Sequence, residues 1–318
     1  MNITFLNPPI LSSLEERRDR AGKAIQILRK RLESAKAGQD NRWKVWVDMH
    51  RSMADALTVD TLLSFQSHPG IGPQITGGSG KHFLSMIAEK YGDAYLRFLL
   101  KNHSETLCGQ PKDIISEQGA YCTVTSMRHL YHVAGIHEYC SQSISSPMDF
   151  VEIGGGYGNV ARMVMQYGLC SQYYIVDHPV LQAIQFFFLG EFFPSSDIAV
   201  LDENGAYVHG FVDSKIQLCS SFRYDWLKDR LKNPYGLIST LALTEIPPQG
   251  QKQYLSFFTP FFIYLFGQLE NVAVGPAGKS GKEMQFSNKD LLYSLGERFH
   301  SFDYAFHGYH FEYIGRKR

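Results

Sequence analysis

The chain has 318 residues, 44% of them hydrophobic and 14% aromatic, enough apolar material to bury the core of one large domain or two modest ones. Its 31 lysines and arginines balance 31 aspartates and glutamates, so no global field draws it toward nucleic acid or an anionic membrane, and the expected partner is a small molecule. Five scattered cysteines with no CxxC pair exclude a disulfide framework and a structural zinc site, and they fit reduced thiols in a cytoplasm.

The N-terminal MNITFLNPPILSSLEERR lacks the early basic region and long apolar core of a secretory leader. Ser12 and Ser13, each followed three residues later by Glu15 and Glu16, form a capping-box pattern. Leu14, Ala21, Ile25, Leu28 and Leu32 then recur on one helical face, and the opposite face is basic, as a solvated surface or a partner surface would be. The glycine- and proline-rich stretch Pro69–Gly80 reads as a loop belonging to no element, either a lid or a plain connector. Helical periodicity resumes from Lys81 to Ile136, and the polar break Ser141–Pro147 ends this half. We place a helical N-terminal domain at residues 1–145 and a second domain at 146–318.

In the second half short β-rich runs alternate with helical ones: MDFVEI, NVARMVMQY, YYIVD, PVLQAIQFFFLG, KIQLC, YDWLKDRL, GLISTLAL, QGQKQYLSFF, FIYLFGQLE. This grammar predicts an α/β fold, a Rossmann-like mostly parallel sheet with helices on both faces. The aromatic runs around His307 and Gly308 predict a C-terminal antiparallel hairpin at the sheet edge. The most apolar stretch, Leu255–Phe266, contains Pro260 and falls well short of the ~20 residues of a membrane span, so it reads as core.

The segment VEIGGGYGN sits between a strand and a helix, where a nucleotide loop belongs. Gly154, Gly156 and Gly158 allow a tight turn and bring a ligand against main-chain N–H groups. A dinucleotide fingerprint would require glycine at position 159, which is Asn159. Glu152, two residues before the first glycine, favours a cationic or hydrogen-bond-donating ligand group over a pyrophosphate. S-adenosylmethionine, with its ammonium and sulfonium and no phosphate, fits these residues. Asp177 ends the next strand at the distance from which a carboxylate accepts hydrogen bonds from ribose hydroxyls.

VEIGGGYGN together with IVDHP resembles the cofactor motifs of class I S-adenosylmethionine-dependent methyltransferases. With the upstream CGQPKDIISEQGAYCTVTSMRHLYHV, it resembles more closely the sugar O-methyltransferase family, over roughly Cys108 to Gln268. The resemblance implies that Glu152, Gly154, Gly156, Tyr157, Gly158 and Asp177 hold the cofactor, and that Ser220 or Ser221 lies near its adenine. It implies methyl transfer to a sugar hydroxyl, with S-adenosylhomocysteine as the product. Plant-type small-molecule O-methyltransferases share the triple glycine but carry a basic histidine after the fourth strand; this chain reads ALTEIPP there.

Glu245, after that fourth strand, is therefore the expected base. His178 stands where it would touch the nucleoside or merely start a helix, and Arg128 suits the methionine carboxylate or a structural ion pair. Tyr121 is assigned to the acceptor side. His129 and His132 have ligand-like spacing without an acid cluster, so no metal is assigned to them, while Asp202, Glu203 and Asp213 around His209 leave a divalent ion open. The helical domain would cover the acceptor or make a homo-oligomer. Two rival readings are methylation of an aromatic or polyketide product and a non-catalytic methyltransferase-like scaffold.

Overall fold

The computed structural model describes residues 12–35, 52–75, 80–103, 105–117, 120–143, 147–221, 223–231, 234–272, 285–307 and 310–318. The first half contains α1 (Leu14–Ala35), α2 (Val59–Leu63), α3 (Gly72–Ile75), α4 (Lys81–Tyr91), α5 (Asp93–Asn102) and α6 (Val124–Ser143), with a hairpin of β1 (Ile114–Glu117) and β2 (Ala120–Thr123) before α6. The second half runs β3 (Met148–Ile153), α7 (Asn159–Gln166), β4 (Cys170–Asp177), α8 (Pro179–Leu189), β5 (Ile198–Leu201), β6 (Tyr207–His209), β7 (Ile216–Ser220) and β8 (Tyr235–Thr240). It continues with α9 (Ala242–Glu245), α10 (Pro248–Phe257), β9 (Phe262–Gln268), β10 (Glu270–Val272), β11 (Gln285–Ser287), α11 (Lys289–Arg298), β12 (Phe299–His307) and β13 (His310–Lys317).

Among the described residues nine strands form one sheet, in the order β12, β13, β9, β8, β3, β4, β7, β5, β6. The six strands from β9 to β5 are mutually parallel, and the antiparallel β12–β13 hairpin closes one edge, as the sequence predicts. From β3 the chain builds outward through β4 to one side and then returns through β8 to the other. The carboxyl ends of β3 and β8 thus flank the topological switch point, where open α/β sheets bind ligands.

Each face of the sheet is covered. Phe150, Tyr173, Ile175, Tyr264 and Phe266 point into one cluster with α1, α6, α7 and α8, and Val151, Tyr174, Val176 and Leu265 point into a second with α10 and α11. The first cluster runs unbroken from Ala21 to Ile314, so the N-terminal helices share their core with the sheet. α8 is apolar on nearly every side because it lies sandwiched between the sheet and α1, and Pro179 at its first turn fits a position that needs no N–H donor.

Three sequence expectations change. Residues 114–123 form a β-hairpin inside the span read as helical, because two four-residue strands are too short to interrupt a window of helical periodicity. The Pro69–Gly80 stretch contains the helical turn α3, and its residues 76–79 lie outside the described ones. The basic face of α1 is turned partly inward: Arg17 donates to the buried Glu191 (2.8 Å), Arg20 pairs with it too, and the buried Arg31 reaches Glu203 (3.1 Å).

A buried carboxylate fastens the other end of this layer. Glu312 on β13 is fully buried and accepts hydrogen bonds from Tyr131 (2.7 Å), Tyr264 (2.7 Å) and Lys90 (2.7 Å), tying α4, α6 and β9 together. Removing one partner of such a group leaves the others desolvated and unpaired. Glu312→Ala should therefore lower stability by about 3–5 kcal/mol in urea unfolding.

Candidate functional site

The loop after β3 is built by its glycines. Gly154, Gly156 and Gly158 have φ of 74°, 56° and 91°, the left-handed region that side chains disfavour. Gly154 N–H donates to Val176 O (3.0 Å) and Gly158 N–H to Gly155 O (2.8 Å), closing the bend. A Cβ on Gly154 would lie 2.1 Å from the Ala242 Cβ, and one on Gly155 would lie 2.5 Å from Ile175, so the loop is pressed against its supports there. A Cβ on Gly156 would meet nothing within 4 Å. The loop is thus clamped at two glycines and opens at the third.

Two acids lie against this bend. Glu152 is fully buried; its Oε2 accepts from Tyr173 (3.0 Å), and its Oε1 has no partner among the described residues. Burial pushes its pKa up to about 8 against the Tyr173 hydrogen bond, and the nearby Asp177 charge adds to the rise. Asp177, also buried, accepts from His178 N–H (2.8 Å) and from Gln185 Nε2 (2.8 Å). The N–H groups of Gly155 and Gly156 also face it; burial nonetheless raises its pKa to about 7. Gln185 bridges acid and loop, since its Nε2 also donates to Gly156 O (2.9 Å).

The turn after β8 forms the opposite wall. Leu241 has φ 83° and ψ −47°, a conformation costing about 1–3 kcal/mol for a branched residue, which persists only where its surroundings impose it. Here they do: Leu241 N–H donates to Phe266 O (2.7 Å), and its carbonyl accepts from Thr244 N (2.9 Å), Thr244 Oγ1 (2.7 Å) and Glu245 N (3.2 Å). Ser239 Oγ spans from Ile153 O (3.1 Å) to Leu243 N (2.9 Å), linking this turn to β3. The result delivers Glu245 to the carboxyl edge of the sheet. Burial raises the Glu245 pKa, opposed by the charge of Arg128; burial lowers that of Arg128, opposed by Tyr157 and Glu245. Arg128 and Glu245 are half-buried and within electrostatic reach, yet no ion pair forms between them.

The other sequence candidates scatter. Tyr157 points its ring into the core against Phe188 (centroids 4.8 Å) and Phe65 (5.7 Å), so it anchors the loop and is 2% exposed. His178 caps α8, its Nδ1 accepting from Val180 N (3.4 Å). Ser220 is buried and donates to Glu203 (3.1 Å), whereas half-buried Ser221 donates its N–H to Asp177 O (3.0 Å). Tyr121 stands 67% exposed on β2. His129 and His132 are buried with their rings 6.4 Å apart; His129 contacts Asn159 Nδ2 (3.0 Å) and His132 contacts the Tyr264 hydroxyl (3.0 Å). Glu203 is spent on Arg31 and Ser220, and Asp202 on the backbone of its own turn. Among the described residues no three His, Cys, Asp or Glu side chains gather to hold a metal ion. Gln185, Tyr173 and Leu241 are site residues that sequence reasoning missed; a polar side chain inside the apolar run PVLQAIQFFFLG was the available signal for Gln185.

No protein-family model matches the chain, and no curated protein matches it. Solved structures resemble it at low identity. TrmK from M. capricolum, in complex with S-adenosyl-homocysteine, is 9% identical over 58% of this chain and 68% of its own, with a TM-score of 0.37. The N-methyltransferase NodS from Bradyrhizobium japonicum WM9, also with S-adenosyl-homocysteine, is 9% identical over 61% and 87%, with a TM-score of 0.38. An rRNA methylase from Escherichia coli is 12% identical over 97% of both chains, with a TM-score of 0.36.

Two outcomes follow from the geometry. Gly154→Ala should destabilise the protein far more than Gly156→Ala in urea unfolding, since the latter costs only the ~1–2 kcal/mol of a left-handed backbone. Glu152 has a pKa raised on folding, so its contribution is present below the ordinary carboxyl range and is lost as pH rises from 4.5 toward about 8. Thermal unfolding over that window should show wild type declining more steeply than Glu152→Gln.

Proposed function

We propose that the chain is an S-adenosylmethionine-dependent O-methyltransferase acting on a sugar hydroxyl. The observation that carries this reading is the loop with carboxylates beneath it. A phosphate-binding loop keeps its N–H groups free for an anion, whereas here the N–H groups of Gly155 and Gly156 face Asp177, and Glu152 lies alongside. A diphosphate would meet two acids. A cofactor with an ammonium and a sulfonium meets complementary charge, and its approach would ionise Glu152. The open side of Gly156 offers the space for close approach.

When bound, S-adenosylmethionine supplies an electrophilic methyl group on a positively charged sulfur. In our reading Arg128 pairs with the cofactor carboxylate, replacing the solvation its guanidinium loses on burial. Glu245 takes the proton of the acceptor hydroxyl as oxygen bonds the methyl carbon and the carbon–sulfur bond breaks, with both electrons staying on sulfur. Burial holds the Glu245 pKa up, toward the range in which a carboxylate is an effective base. Tyr121, 67% exposed on β2 in the hairpin that precedes α6, is assigned to the acceptor side.

The balanced charge supports a small-molecule acceptor. A cytoplasmic setting and an oligomer formed through the helical layer complete the proposal.

Isothermal calorimetry should show S-adenosylhomocysteine binding to the wild type and none to Gly156→Ala, whose added methyl group fills the open side of the loop while the fold persists. Glu245→Gln should bind that ligand normally and lose about 10²- to 10⁴-fold in kcat with radiolabelled methyl donor and a panel of glycosides and phenols. Undiminished turnover would remove the base assignment; wild-type protein that is folded but binds no S-adenosylhomocysteine would favour the scaffold reading.

A further inference from the structure

The ribose-reading acid of the proposed site is already engaged by its own chain at both carboxylate oxygens. A carboxylate has about four acceptor positions, and Asp177 uses both of its oxygens within its own chain, Oδ1 accepting from His178 N–H and Oδ2 from Gln185 Nε2. A pentose diol brings two further donors. They need acceptors that the protein has not spent.

One such acceptor is present. Gln185 is fully buried, yet its Oε1 has no hydrogen-bond partner among the described residues. Its amide orientation is determined by its neighbours: Nε2 lies 2.8 Å from Asp177 Oδ2 and 2.9 Å from Gly156 O, both acceptors, so a flipped amide would set oxygen against oxygen twice. Oε1 is therefore the atom left bare. A buried bare acceptor is costly, and natural proteins rarely keep one without a task. The amide sits between the open glycine of the loop and the end of β4, where the reading above puts the pentose.

We propose that Gln185 is a specificity-determining residue of the nucleoside site, its Oε1 accepting a hydrogen bond from a ribose hydroxyl while its Nε2 keeps Asp177 and the glycine loop in register. This rests on the cofactor reading and adds a residue from α8 to it. The ligand class it selects is a nucleoside with a free ribose hydroxyl; a ribose esterified with phosphate brings acceptors only and is rejected by the same atoms.

The test compares equilibrium binding of S-adenosylhomocysteine and of its 2′,3′-dideoxy analogue to wild type and to Gln185→Met, which keeps the side-chain length and removes the amide. Wild type should prefer the hydroxylated ligand by about tenfold or more, the factor a single buried hydrogen bond supplies. In Gln185→Met the preference should fall to within about twofold, the same bond being lost. Thermal unfolding checks that the variant is folded, and Gln185→Asn, which retracts the amide, gives a second reading if it is not. A full preference retained in Gln185→Met, or equal wild-type affinity for the two ligands, overturns the assignment. Wild type that binds neither ligand overturns the cofactor reading along with it.

Discussion

Two carboxyl groups, Glu152 and Asp177, are kept away from water beneath a bend of four glycines, and much of the site follows from the cost of doing so. Each isolated acid in such a place must be protonated, paired or surrounded by donors. Tyr173 serves Glu152, while Asp177 draws donors from the loop, from His178 and from Gln185. The glycines are needed for this packing: Gly155 has no room for a Cβ because Ile175 and the Glu152 carboxyl lie behind it.

The second wall is held by backbone geometry. Leu241 adopts a strained conformation that four hydrogen bonds fix in place, and Ala242 then packs against Gly154 so closely that only glycine fits opposite. The loops after β3 and β8 are in this way machined against each other across the switch point of the sheet. Arg128 and Glu245 approach from α6 and α9 without forming an ion pair, although the charge of each acts on the other.

The parallel sheet, its C-terminal hairpin and the glycine loop were legible because alternation of short apolar runs and glycine spacing are local patterns. Asp177 was legible by its distance from the loop, although the direction of its carboxyl was not, since the donors that turn it come from α8 and from the loop itself. The packing of the Tyr157 ring was not legible, because its aromatic partners Phe65 and Phe188 lie far from it in sequence. The inward turn of Arg17, Arg20 and Arg31 was equally hidden: their partners Glu191 and Glu203 are remote in sequence, and a charged helix face reads the same whether it meets solvent or a buried acid.

The unbroken core between the helical layer and the sheet sets how this molecule can change over evolutionary time. Ala21 and Leu28 of α1 belong to the same packed cluster as Phe187 and Phe188 of α8, so the helical layer is not an interchangeable module. Recombination that swapped it wholesale would expose those phenylalanines or mismatch them. Change in this core is confined to single, volume-matched substitutions, one side chain at a time.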